Sequence, residues 1–210
     1  MPNIHVLPPR ISNQIAAGEV VDRPSSVVKE LVENSIDAGA TAITIEIENG
    51  GIDLIRVTDN GGGLLDEDCE TAFLRHATSK IASAGDLFSI RSLGFRGEAL
   101  ASIAAVARVA LQTSTESDEL GTLVRYEGGE LKEHKRTGGT RGTSVEVKDL
   151  FYNVPARLKF LKSSRAESAS IGDYIARLIL SAPEVAVHFV SGGKTVYRSG
   201  GNGSLRDALL

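Results

Sequence analysis

The sequence predicts a two-layer α/β sandwich built on a mostly antiparallel sheet. Residues 41–59 alternate apolar and polar side chains on both sides of an Asn-Gly-Gly turn, the pattern of a β-hairpin, and similar short segments recur behind Gly-Gly turns. Helical stretches are mixed among these hairpins without forming βαβ units, which disfavours a doubly wound parallel sheet. With 41% apolar residues in 210, the chain can bury a sizeable core as one large domain, or as one domain with a short extension.

The start, "MPNIHVLPPR", lacks an apolar run behind a basic end and is not a signal peptide. Asp22 is the expected N-cap of the first well-bounded helix, with Pro24 in its first turn and Gly39 past its end. Val28, Leu31, Val32 and Ile36 form its buried stripe. Glu30, Asn34 and Asp37 stand at i, i+4 and i+7, within an arc of about 60° at about 100° per residue, on one line beside that stripe. Such a line is either a solvated face or a set of oxygens collected for a metal ion and a water.

Ile43, Ile45 and Ile47 lead into the turn at Asn49-Gly50-Gly51, and Ile55 and Val57 lead out of it. Residues 66–77 and 98–107 read as helices with a loop-rich stretch between them. Strands are expected near 108–114, 121–127, 130–136 and 143–148, followed by a helix near 165–181, behind Ser164 and ahead of Pro183. "VAVHFV" and "TVYRS" flank a Gly-Gly turn as a last hairpin. The final "NGSLRDALL" reads as a cap and the first turns of a helix, the beginning of a further segment of a longer protein. The sequence contains neither an internal repeat nor a low-complexity linker.

A formal net charge of −4 excludes a globally basic nucleic-acid clamp and confines any such contact to a local patch. The single cysteine, Cys69, allows no internal disulfide and no thiolate cluster, which fits a reducing compartment. The longest apolar run, Ala99 to Leu111, includes Ser102 and Arg108 and is too short to cross a bilayer.

Two glycine clusters stand out. "VTDNGGGLLDED" sets Asp59 at a strand end before Gly61, Gly62 and Gly63, where a ligand could approach the backbone closely. "SLGFRGEALASI" sets Gly94 and Gly97 at the mouth of a helix, where free N–H groups can receive phosphate. "ATSK" (77–80) adds two hydroxyls and Lys80 upstream. Taken singly, each cluster reads first as a turn or a solvated surface. Their order and their helix and strand context favour a site. "GGKT" (192–195) is not a P-loop, because its first glycine position falls on His188. Gly61-x-Gly63 is not a dinucleotide fingerprint, because Asp66 replaces the third glycine. No G-x-S-x-G or H-E-x-x-H pattern occurs, and Cys69 lacks a nucleophile context.

This order of motifs resembles the GHKL ATPases, the superfamily of type II topoisomerase ATPase subunits, Hsp90 chaperones, sensor histidine kinases and MutL mismatch-repair proteins. "IAAGEVVDRPSSVVKELVENSIDAGA", "RHATSKI", "SLGFRGEALASI" and "DLFYNVPAR", spread over residues 11–161, are most similar to the MutL family. Gly62 within Asp-Asn-Gly-x-Gly and Leu64, where isoleucine is common, are mild departures. The resemblance implies the GHKL (Bergerat) ATP-binding fold, an α+β sandwich whose mixed, mostly antiparallel sheet carries its helices on one face. It implies an amino-terminal arm at 1–20, an ATPase domain at 21–200, and at 201–210 the start of a connection to a following domain. That next domain would contribute a lysine to the γ-phosphate.

The resemblance also assigns roles. Glu30 would be the general base, and Asn34 the ligand of Mg²⁺. Asp59 would accept from the adenine amine of ATP, with Gly61, Gly63 and Ala38 shaping the pocket and Thr143 at its floor. Gly94, Phe95, Arg96 and Gly97 would wrap the phosphates, with Ser79 and Lys80 reaching the same region. Asp37 would be a support, bonding the helix end or pairing with an arginine. Residues 77–97 would form a lid, mobile without ATP. The first 20 residues, with Ile4, Val6, Leu7 and Ile11, would either cross to a second protomer when nucleotide binds or lie as a local strand on their own domain. "RLKFLKSSR" (157–165) places Arg157, Lys159, Lys162 and Arg165 on a broad arc, either a solvated basic face or part of a weak, sequence-independent DNA surface of the full protein. Implied partners are a second copy on nucleotide binding, the mismatch-recognition protein MutS and downstream repair factors. The implied location is the bacterial cytoplasm, at the nucleoid during repair, with no membrane contact. The rivals are another GHKL enzyme, such as a topoisomerase subunit or a kinase, and a non-catalytic module on which Glu30 is surface charge. No phosphoacceptor helix supports the kinase.

Overall fold

Alternation of side chains decides the sheet. The computed structural model describes residues 5–80, 93, 94 and 97–208. Its strands are β1 (Ala42–Glu48), β2 (Leu54–Asp59), β3 (Arg108–Ser114), β4 (Gly121–Glu127), β5 (Glu130–Thr137), β6 (Gly142–Lys148), β7 (Ala186–Ser191) and β8 (Lys194–Arg198). They form one eight-stranded sheet in the order β5-β4-β3-β6-β2-β1-β7-β8. Neighbours run antiparallel except β1 and β7, which are parallel, so the sheet is mixed and mostly antiparallel, as expected. The hairpin at β1 and β2 pairs Ile45 with Val57 and turns through a 3₁₀ segment at Asn49–Gly51.

One face of the sheet is apolar. Ile43, Ile45, Ile47, Val57, Val109, Leu111, Val124, Val145, Val147, Val187 and Phe189 are buried. Each large side chain so buried contributes about 1.5–3 kcal/mol of transfer free energy. The other face carries polar ladders, with Arg56 donating to Glu46 at 2.8 Å and to Glu146 at 2.6 Å.

The helices are α1 (Pro9–Val20), α2 (Pro24–Asp37), α3 (Asp68–Thr71), α4 (Ala99–Val106), α5 (Pro155–Leu158), α6 (Ser164–Ser181) and α7 (Leu205–Ala208). Helices α2, α4 and α6 cover the apolar face, and α1 packs on α4. Val27, Val28, Leu31 and Val32 of α2 meet Ile171 and Ile175 of α6 within the same core. Pro24 occupies the first turn of α2, and Gly39, at φ 74°, follows its C-cap.

Four local expectations are corrected. Arg23, not Asp22, is the N-cap residue of α2, and the Asp22 carboxylate instead accepts the Ser26 hydroxyl. Ser163, not Ser164, caps α6. The helix expected over 66–77 shrinks to α3, because Leu65 and Leu74 stay exposed and His76 adopts φ 62°. Residues 9–20 are helical where a strand was one of two options, with Ala17 and the following Val21 fully buried while Ile11 and Ile15 are exposed. Ile4 lies outside the described residues.

Candidate functional site

Helix α2 is hydrogen-bonded to Asp59 through Ser35 and to Lys80 through Asn34 and Asp37, and the surface between these two links is the candidate crease. Glu30 and Asn34 are half-buried on its edge, one turn apart. Glu33, next to them, is pushed above the usual carboxylate range by burial, only partly offset by Lys29 at 3.7 Å. Ala38 is exposed at the end of α2, and its carbonyl accepts from Gly62 N at 2.9 Å.

Asp59 ends β2 at one end of the crease. Its Oδ2 accepts from Ser35 Oγ at 2.7 Å, and its Oδ1 accepts from Gly61 N at 2.8 Å and Thr143 N at 3.3 Å. Thr143 therefore does stand beside Asp59, and its hydroxyl meets that of buried Thr113 at 3.0 Å. The backbone is tightly packed here. A Cβ on Gly61 would lie 2.9 Å from the Ala38 carbonyl, and one on Gly63, at φ 73°, 2.2 Å from the Ser114 carbonyl. Asn60 fixes the start of β1 by accepting from Thr41 N and Ala42 N, both at 2.9 Å.

At the other end Lys80 reaches α2. Its Nζ lies 3.2 Å from Asn34 Oδ1 and 2.5 Å from Asp37 Oδ2. Asp37 also accepts from Leu93 N and Gly94 N, each at 3.0 Å. Burial works against its ionisation, but the Lys80 ammonium and these N–H groups outweigh it and hold the carboxyl below its ordinary value. Asp37 thus pairs with a lysine, where bonding of the helix end or pairing with an arginine was expected. The Gly94 N–H faces this carboxylate. Ser79 is exposed, and Gly97 precedes α4 at φ 60° with its ideal Cβ position 2.5 Å from the Ala77 carbonyl. Phe95 and Arg96, and most of the expected lid, lie outside the described residues.

Residues 22–147 match the family of histidine kinase-, DNA gyrase B- and HSP90-like ATPases. The chain also superposes on the Aquifex aeolicus MutL ATPase domain complexed with ADP with a TM-score of 0.76 and 34% identity, covering 90% of this chain and 68% of that one. The chain belongs to the MutL family of ATPases. Among MutL proteins it is 56% identical over 209 residues to the DNA mismatch repair protein MutL of Streptococcus sanguinis strain SK36, covering 100% of this chain and 32% of that protein. It is 54% identical over 210 residues to MutL of Caldanaerobacter subterraneus subsp. tengcongensis, covering 100% of this chain and 36% of that protein. The chain thus spans about a third of the length of these curated relatives.

Two residues of this crease carry little signal in the sequence. Ser35 is 4% exposed, and its only sequence signal is a small hydroxyl at i+4 from Leu31 on the buried side of α2. Gly142 opens β6 at φ 117°, and a Cβ there would lie 2.1 Å from the Asp59 carbonyl, so only glycine lets β6 approach the pocket floor. The basic stretch divides. Arg157 turns inward, donating to the Gln14 carbonyl at 2.8 Å and lying 5.8 Å from the centre of the Phe151 ring, while Lys159, Lys162 and Arg165 are exposed.

Proposed function

We propose that this chain binds ATP with Mg²⁺ and hydrolyses it slowly, as the conformational switch of a DNA mismatch-repair protein. The observation that carries the reading is the phosphate end of the crease, where Asn34 Oδ1 stands 3.2 Å from the Lys80 ammonium with Glu30 one turn away. An amide oxygen, a cation and a carboxylate are the groups that a hydrolysable triphosphate needs from its protein. The ADP held by the Aquifex aeolicus domain supports a nucleotide here as well.

Asp59, with both oxygens already anchored, accepts a hydrogen from the adenine amine, and a guanine would present an acceptor to it instead. Ala38, Gly61, Gly63 and Thr143 shape that end. Lys80, Ser79 and the Gly94–Gly97 segment, including Phe95 and Arg96, meet the phosphates. Glu30 orients a water and takes its proton as the water oxygen bonds to the γ-phosphorus. The bond from that phosphorus to the β,γ-bridging oxygen breaks, giving ADP and inorganic phosphate.

For the metal, the donor set is sparse. Among the described residues no three His, Cys, Asp or Glu side chains gather into a site. One neutral oxygen, Asn34 Oδ1, fits Mg²⁺, which keeps waters and phosphates as its other ligands. When bound, the ion neutralises charge on the phosphate oxygens.

The same reading gives the protein a nucleotide-dependent homodimer using the first 20 residues, MutS and downstream repair factors as partners, weak DNA binding by the full protein, and a cytoplasmic location. Among the described residues, no helix is long and apolar enough to cross a membrane. Calorimetric titration with ATP, with and without Mg²⁺, tests the central claim. ATP is expected to bind at least about tenfold more tightly with Mg²⁺ present. No binding under either condition would leave a non-nucleotide module.

A further inference from the structure

We infer that Ser35 is a positioning residue that sets the preference for a 6-amino purine, by fixing the carboxylate of Asp59. The inference rests on the reading of this crease as an adenine nucleotide site. Ser35 Oγ lies 2.7 Å from Asp59 Oδ2 and 3.1 Å from the Leu31 carbonyl. A hydroxyl has one proton, and the shorter contact to a charged acceptor claims it. At 4% exposure no solvent competes for the hydroxyl at Ser35.

The other carboxylate oxygen is held by Gly61 N and Thr143 N, so three donors from three elements define the plane of the group. Two of these are backbone N–H groups of segments fixed by packing, since Gly61 abuts Ala38 and Thr143 is the second residue of β6. Ser35 is the side-chain member of the set. Without its hydroxyl, Oδ2 is left with no donor from α2, and rotation about the Cβ–Cγ bond of Asp59 can turn the acceptor away from an incoming amine. Recognition of a polar group by a site depends on that group being fixed beforehand, so the loss falls on the 6-amino contact and not on the phosphates.

The test is the ratio of two affinities measured by calorimetry on this chain, for ATP and for purine riboside triphosphate, which lacks the 6-amine. Wild type is expected to favour ATP by roughly ten- to a hundredfold. In Ser35→Ala that ratio should fall toward unity through weaker ATP binding, with the affinity for the analogue unchanged. Equal weakening of both nucleotides, or an unaltered ratio, would overturn the role of Ser35 alone. A wild-type protein that binds both equally would overturn the adenine reading and this inference with it. Ser35→Cys keeps the volume with a weaker donor and is expected to give an intermediate ratio. If the alanine variant does not fold, a wild-type ratio in the cysteine variant overturns the inference.

Discussion

Glu30 and Asn34 occupy neighbouring turns of one helix edge, yet their surroundings differ. Asn34 Oδ1 is engaged by Lys80, whereas Glu30 accepts no hydrogen bond among the described residues. A half-buried carboxylate with no protein donor suits a base that meets only the attacking water. Glu30→Ala is therefore expected to bind ATP as wild type does while hydrolysis falls by about 10²–10⁴-fold. Parallel loss of binding in a nucleotide titration would remove Glu30 from the base position. The sequence revealed this line because helical periodicity alone puts Glu30, Asn34 and Asp37 together. It did not reveal Ser35, because one hydroxyl among buried positions has no period of its own, and its partner Asp59 lies 24 residues away. Nor did it reveal that Asp37 pairs with Lys80, because that contact depends on where the chain goes after β2.

Among the elements, α1 and α5 are coupled through one glycine. An added Cβ on Gly18 would lie 2.1 Å from Arg157 Nη2, in the space from which the guanidinium reaches the Gln14 carbonyl. Gly18→Ala gains about 1 kcal/mol of helix propensity. It also displaces a charged hydrogen bond of about 1.5–3 kcal/mol, so net destabilisation of about 1 kcal/mol is expected in urea melts. In an Arg157→Ala background the sign should reverse. A single sign in both backgrounds would show that the two residues act independently. Helix α3 is tied to the sheet differently, through His134 of β5, which bonds Glu70 at 2.5 Å and Asp66 at 3.0 Å. The Glu70 and Asp66 carboxylates raise the His134 pKa, so its contribution is complete below about pH 6.5 and fades as pH rises through the elevated folded value. Asp66 is lowered to about 2 by Thr122, His134 and Arg136, so its contribution holds above about pH 4 and is lost as pH falls toward 2. The melting-temperature advantage of wild type over His134→Ala should accordingly be greatest between about pH 4 and 6.5. An advantage that grows from pH 6.5 to 9 would contradict this tie. Neither coupling was legible in the sequence, since each joins residues more than sixty positions apart.

At the scale of the molecule, the fold class followed from the sequence because the six inner strands each bury side chains while the edge strands β5 and β8 bury none, and a half-buried sheet writes its alternation into the chain. The single parallel pair, β1 with β7, leaves no comparable mark. The chain spans about a third of the length of its curated relatives. On the proposed function, the family resemblance implies a further lysine from a following domain, which would stabilise charge on the transferred phosphoryl group. A longer chain that includes that domain should thus turn ATP over at least about tenfold faster per site at similar affinity. Equal steady-state rates would mean that residues 1–210 hold all the catalytic groups. Without nucleotide the 210-residue chain should elute as a monomer. Finally, the contact of Lys80 with Asn34 and Asp37 means that this acidic protein carries a counter-ion of its own inside the crease. An incoming anion would compete with the Asn34 and Asp37 oxygens for the Lys80 ammonium. A bare divalent ion brings no such anion, while a triphosphate does. On the proposed function, this one side chain is expected to let metal and nucleotide enter together and to disfavour metal alone.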